Sequence, residues 1–157
     1  MANLLIRIFL GTLLLSQLCN ADNVEGINTC NSSQANPIDL WHQSKFIEID
    51  KEPTNVEQYM SKLVQLETEY TRRWDVELNK TYQLLMKNLN KADQQQLKEA
   101  QRAWLKFYKS DTLLAQRVNK NGGAVGKYNA AQTNSKYTRD RTCDLKLYLF
   151  NVLYPGQ

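Results

Sequence analysis

The chain has 157 residues, 42% of them hydrophobic and 23% charged, with a formal net charge of +4 at pH 7. That composition fits one ordinary domain with a single core and excludes a disordered, charge-dominated chain. The basic residues are spread along the chain rather than clustered, which argues against a nucleic-acid partner.

The first residues, NLLIRIFLGTLLLSQLCNA, place one basic residue, Arg7, before an apolar run at 8–15 and a more polar close. This is the pattern of a secretory signal peptide cleaved near Ala21, and the run is far short of the roughly 20 residues of a membrane span. The expected mature protein is periplasmic or secreted. It keeps two cysteines, Cys30 and Cys143, and in an oxidising compartment an even pair predicts one disulfide. Residues 22–70 carry a balance of −6 and residues 71–157 a balance of +9, two halves that attract each other.

Residues 22–53 show no sustained period and contain Pro37 and Pro53, so they read as an irregular acidic arm with a short helix near 40–46. Thr54 followed by Glu57 is a capping box that opens a long helix. Its apolar positions are Val56, Tyr59, Met60, Leu63, Leu66, Tyr70, Trp74, Leu78, Tyr82, Leu85 and Leu89, in steps of three or four. A break at 90–93 leads to a second helix with Leu97, Ala100, Trp104, Phe107, Leu114 and Val118 on one face. Asn121, Gly122, Gly123 and Gly126 end it, and a third helix carries Tyr128, Ala131, Thr138, Leu145, Tyr148, Leu149 and Val152 before stopping ahead of Pro155. No segment alternates at period two. The fold class expected is all-α: an antiparallel three-helix up-down-up bundle, residues 54–157, preceded by the arm. Trp74 and Trp104 are expected inside it, and the aromatics of AQRAWLKFYKSDT, residues 100–112, are expected to turn inward.

Catalytic chemistry is not visible. His42 is the single histidine, in a polar arm where a surface position is expected, so Ser-His-Asp, Cys-His and ordinary zinc sites have no basis. GGAVGK lacks the spacing and the preceding strand of a phosphate loop. Glu67 and Glu69, at i and i+2 on a helix, point apart and read as a solvated face that pairs with Arg72 and Arg73. No enzyme, metal or cofactor is expected.

Four stretches occur in a telling order: WDVELNKTYQLLMKNL, LKEAQRAWLKF, NGGAVGKY and YTRDRTCDL. In order and spacing they resemble the LprI-type lysozyme inhibitors, small exported bacterial proteins, over about residues 74–148. The residues that carry the resemblance are Asp75, Leu78, Asn79 and Tyr82, then Ala100, Gln101, Arg102 and Trp104, then Gly122 and Gly123, then Thr138 and Arg141. It implies an all-helical envelope domain that in some members binds and inhibits lysozyme. It implies no enzyme, and it assigns the signature residues a structural role. Where the family has a cysteine after the tryptophan, this chain has Tyr108, Lys109 and Thr112, and no second cysteine stands near Thr133. Packing is expected to replace that bridge.

The function expected is steric inhibition of a peptidoglycan hydrolase, with a protein as partner. The binding face expected is the loop at 119–127, with Asn119, Asn121, Gly122, Gly123 and Lys127, helped by Glu48, Asp50 and Glu52 of the acidic arm. The competing reading is an envelope structural or adaptor protein, or an immunity protein against a cell-wall-degrading toxin. Arm and loop at one end of the molecule would favour the inhibitor; arm and loop at opposite ends would favour the adaptor.

Overall fold

A computed structural model describes Cys30, residues 36–52 and residues 55–156. The signal-peptide region, Pro53 and Thr54 lie outside the described residues. The structure is all-helical, with four α-helices rather than three among the described residues: α1 Pro37–Asp50, α2 Val56–Asn88, α3 Lys91–Val118 and α4 Gly123–Leu153, with a 3-10 turn, Lys120–Gly122, ahead of α4.

The short helix expected near 40–46 is longer, Pro37–Asp50, which corrects the expectation of an otherwise irregular arm over those residues. Asn36 accepts a hydrogen bond from the Ile38 amide at 2.8 Å, and Pro37, at the first helical position, needs no amide partner. This start signal fits the prolines that had suggested irregularity. The helix lacks a clean apolar stripe and fully buries none of its own residues, so no period announced it. Asn55 caps α2, its side chain accepting from the Gln58 amide at 2.9 Å, and the capping box expected from Thr54 lies outside the described residues. Asn90 caps α3 in the same way, accepting from the Asp93 amide at 3.0 Å.

The core lies mainly between α2 and α4. Met60, Leu63, Leu66, Tyr70, Trp74, Leu78 and Leu85 are buried on α2, and Leu145 and Leu149 on α4. The buried face of α4 is otherwise polar and small, with Ser135, Thr138 and Thr142 turning their hydroxyls to their own helix backbone. Such short side chains let the two helices lie close, and bonds to carbonyls three or four residues back satisfy the buried oxygens. Lys146 is buried on α4 and reaches Glu77 of α2 at 2.7 Å.

α1 is held to this pair by polar contacts. Arg139 of α4 donates to Asp39 of α1, Nη2 to Oδ2 at 2.8 Å, and the Tyr70 hydroxyl donates to the same carboxylate. Glu67 is only 3% exposed; it pairs with His42 Nε2 at 3.0 Å and accepts from the Ser135 hydroxyl. Two expectations change here. Glu67 faces α1 and α4 rather than solvent, while Glu69 alone pairs with Arg72 and Arg73. His42 is half-buried, its ring 4.2 Å from that of Tyr70. The sulfurs of Cys30 and Cys143 are bonded, with Cα atoms 5.5 Å apart, which fastens the chain ahead of α1 to α4.

α3 is the outlying helix. Leu97 is its one fully buried residue among those described, and Phe107, Leu114 and Val118 are 51%, 54% and 69% exposed. Trp104 is half-buried against the core of Leu78, Leu85, Leu97, Leu145 and Leu149. The aromatic stretch is therefore only partly turned inward, because α3 leans on α4 along one edge and barely meets α2 there. Where the family's bridge is missing, the Phe107 and Tyr137 rings meet edge to face at 5.4 Å and the Tyr137 hydroxyl donates to Asp111. Packing holds that junction, as expected.

Candidate functional site

The chain turns from α3 into α4 without a protruding loop. Asn119 caps α3, its side-chain amide donating to the Ala115 carbonyl at 2.8 Å and its own carbonyl accepting from the Gly122 amide at 3.0 Å. Gly123 takes φ +58°, the left-handed region that glycine enters at no steric cost, and α4 begins there. The expected loop at 119–127 is thus a blunt helical corner, with Lys127 already on the first turns of α4. The tightest requirement falls on Gly126: a Cβ there would lie 2.0 Å from the Asn119 carbonyl oxygen.

This corner shares an end of the molecule with the acids expected to assist it. A groove of about 750 Å³ is lined by Val56, Glu57, Met60, Ser61 and Val64 of α2 and by Gly123, Ala124 and Lys127 of α4. The C-terminal end of α1 is tied to the same first turns of α2. The Tyr59 hydroxyl donates to Asp50 at 3.1 Å, Lys62 donates to Glu52, and Glu48 stays with its own helix, 2.6 Å from Lys45. All three acids are exposed, as are Asn121 and Lys127. On the other side of the corner, a groove of about 350 Å³ is lined by Gln116, Asn119, Lys120, Gly126, Lys127 and Asn134, among others.

A second concavity, about 550 Å³, lies between α2 and α3. Asp75, Leu78, Asn79 and Tyr82 come to it from α2, Gln101, Arg102 and Trp104 from α3, and Thr138 from α4. Arg141 joins from behind, donating Nε to Gln101 Oε1 at 3.0 Å. These are residues on which the family resemblance rests, and they had been assigned a structural role. Leu78, Thr138 and Arg141 are buried and fit it, but Asp75, Asn79 and Arg102 are exposed, and burial cannot account for them. The signal was present in the spacing: 75, 78, 79 and 82 on one helix, and 98, 101, 102 and 105 on the other, each trace a single helical face. The groove is not legible in the sequence because the two faces lie on different helices and nothing in either names the other.

Among the described residues no serine or cysteine stands within hydrogen-bond reach of His42. Ser135 donates to Glu67, not to His42, and both Ser135 and Glu67 are buried. Among the described residues no group of three or more His, Cys, Asp or Glu side chains stands ready to hold a metal ion, and no helix is long and apolar enough to cross a membrane.

The described residues thus form a small all-helical domain with open grooves at its surface. The family model described as lysozyme inhibitor LprI matches residues 52–145, and the chain belongs to that family. The match begins ahead of residue 74, where the resemblance starts, and takes in all of α2. Neither curated proteins nor solved structures yield a match.

Proposed function

We propose that this protein is an exported inhibitor that blocks a peptidoglycan hydrolase of the lysozyme kind by steric contact, through the end formed by the α3–α4 corner and the α1–α2 turn. The observation that carries this reading is the shared groove. Gly123 and Lys127 stand across it from Val56 and Glu57, and Asp50, the last residue of α1, and Glu52 just beyond it are tethered to Tyr59 and Lys62 of the same α2 turns. A helical corner pinned by Asn119 and Gly126 is preorganised, so little conformational entropy is lost when a cleft closes over it. Basic enzymes such as C-type lysozymes would not be steered toward a protein of positive net charge. Four exposed acids at this end, Glu48, Asp50, Glu52 and Glu57, supply the local potential that steering requires.

The test is substitution of exposed residues that hold nothing else. Asn119 supports the end of α3 and is left alone; Asn121→Ala with Lys127→Ala keeps the glycines and the core intact. Inhibition of a responding hydrolase should weaken while the melting curve stays that of the parent. Full inhibition by this double variant removes the corner from the interface.

The competing adaptor reading has one observation in its favour, the exposed Leu113, Leu114 and Val118 at the end of α3. It predicts a stable complex with an envelope protein that has no hydrolase activity.

A further inference from the structure

The groove between α2 and α3 has the volume of a small-ligand site, about 550 Å³. Of the thirteen residues that line it, eight are polar or charged, three are aromatic and two are aliphatic. Most of the surface it exposes is nonetheless apolar, so a ligand must offer an apolar face as well as groups that satisfy the polar side chains. The Trp104 and Tyr108 rings stack at 5.1 Å with 22° between their planes, forming a continuous aromatic plate on α3. Around such a plate stand planar groups that hydrogen-bond in pairs: the Asp75 carboxylate, the Gln83 and Gln101 amides and the Arg102 guanidinium.

The polar groups also come sorted. Arg141 Nε can only donate, so its bond fixes which end of the Gln101 amide is oxygen and leaves the Gln101 NH2 group to donate. Arg141 is buried, and its Nη2 has no partner. On the opposite wall, Asn79 spends its NH2 group on Asp75, donating to the carbonyl oxygen at 2.8 Å and to Oδ2 at 3.3 Å. That leaves Asn79 Oδ1 and Asp75 Oδ1 as acceptors. Gln101 and Arg102 therefore present donors on α3, across the groove from acceptors at Asp75 and Asn79 on α2. A hydroxyl does both at once, and a ring that carries several hydroxyls around an apolar CH face would satisfy the two walls and the aromatic plate together.

We propose that this groove binds an oligosaccharide, with one sugar face on the Trp104 ring and its hydroxyls shared between Asp75 and the Gln101–Arg102 pair. The assignment is independent of hydrolase inhibition. It gives the protein a second partner class, a glycan.

The probes are the trimers of N-acetylglucosamine, cellotriose and maltotriose, titrated calorimetrically into the disulfide-bonded protein, with tryptophan fluorescence followed in parallel. At least one trimer should bind saturably and change the emission. Arg102→Ala removes an exposed side chain that has no partner among the described residues, so its melt should match the parent while affinity falls about tenfold or more, as for loss of a charged hydrogen bond. Trp104→Leu should abolish binding and Trp104→Tyr, which keeps a ring, should restore most of it. Absence of heat and of any fluorescence change with all three trimers at millimolar concentration overturns the proposal. So does binding that neither Arg102→Ala nor Trp104→Leu weakens. If no trimer binds but Arg102→Ala disrupts a complex with a hydrolase, the groove belongs to a protein partner and the glycan assignment is wrong.

Discussion

Trp74 and Trp104 hold similar positions in the periodicity of their helices, yet Trp74 is 0% exposed between α2 and α4 while Trp104 is half-buried beside a groove. Periodicity specifies a face of a helix and not how much neighbouring structure covers it. Trp74→Ala should cost about 3–5 kcal/mol and Trp104→Ala about 1–2 kcal/mol, read from denaturant melts. Equal losses would mean that α3 packs far more tightly than it does here. Asp39 offers a test of a different kind. Burial opposes its charge, but hydrogen bonds from Arg139 and Tyr70 and the nearby guanidinium charge outweigh this and hold its carboxyl below the ordinary value. A depressed folded-state value adds stability that is present above the unfolded value, near about 4, and is lost as pH falls through the folded one. Melts of the parent should therefore lose this contribution below about pH 4, and Asp39→Asn should flatten that part of the profile. An unchanged acid profile in the variant would mean that the Asp39 carboxylate does not anchor α1.

Among the elements, α2 was legible almost residue by residue, because its apolar positions face a neighbour along most of its length. α3 has the same period, but its C-terminal half leaves Leu114 and Val118 exposed, so the period was read correctly and its burial was not. α1 was legible only as a short helix near 40–46 and not over its full length, because polar contacts at Asp39 and His42 hold it and leave no pattern in hydrophobicity. The glycines of the α3–α4 corner were found, but not what each is for: Gly123 supplies the positive φ, Gly126 the close approach, and Gly122 neither. Nothing lies within 4 Å of a Cβ added at Gly122, whereas at Gly126 it would meet backbone. Gly126→Ala should destabilise by about 1–3 kcal/mol and Gly122→Ala by much less, since overpacking against a carbonyl cannot be relieved by a rotamer change. A reversed order in thermal melts would relocate the close approach. The Cys30–Cys143 bond joins positions 113 residues apart, for which chain entropy gives about 4–5 kcal/mol of stabilisation, less any strain. Replacing both cysteines by alanine should lower stability by an amount of that order, and a melt that coincides with the parent's would show that α1 and α4 need no covalent tie.

At the scale of the whole molecule, the separation of charge read from the sequence has a structural use. The acidic N-terminal part supplies Asp39 and Glu67 to the basic α4 and to His42, and it leaves Glu48, Asp50 and Glu52 exposed at the end that carries the α3–α4 corner. Neutralising those three acids with Asn and Gln should slow association with a basic hydrolase most strongly at low salt, because exposed charges act over about 10 Å at 0.1 M salt. The central claim, that this member of the LprI family inhibits a lysozyme-type enzyme, is tested most directly by titrating the purified disulfide-bonded protein into cell-wall lysis assays run with a panel of peptidoglycan hydrolases. The account predicts saturable, stoichiometric loss of activity for at least one enzyme of the lysozyme kind; full activity of every enzyme with the protein in large excess would contradict it.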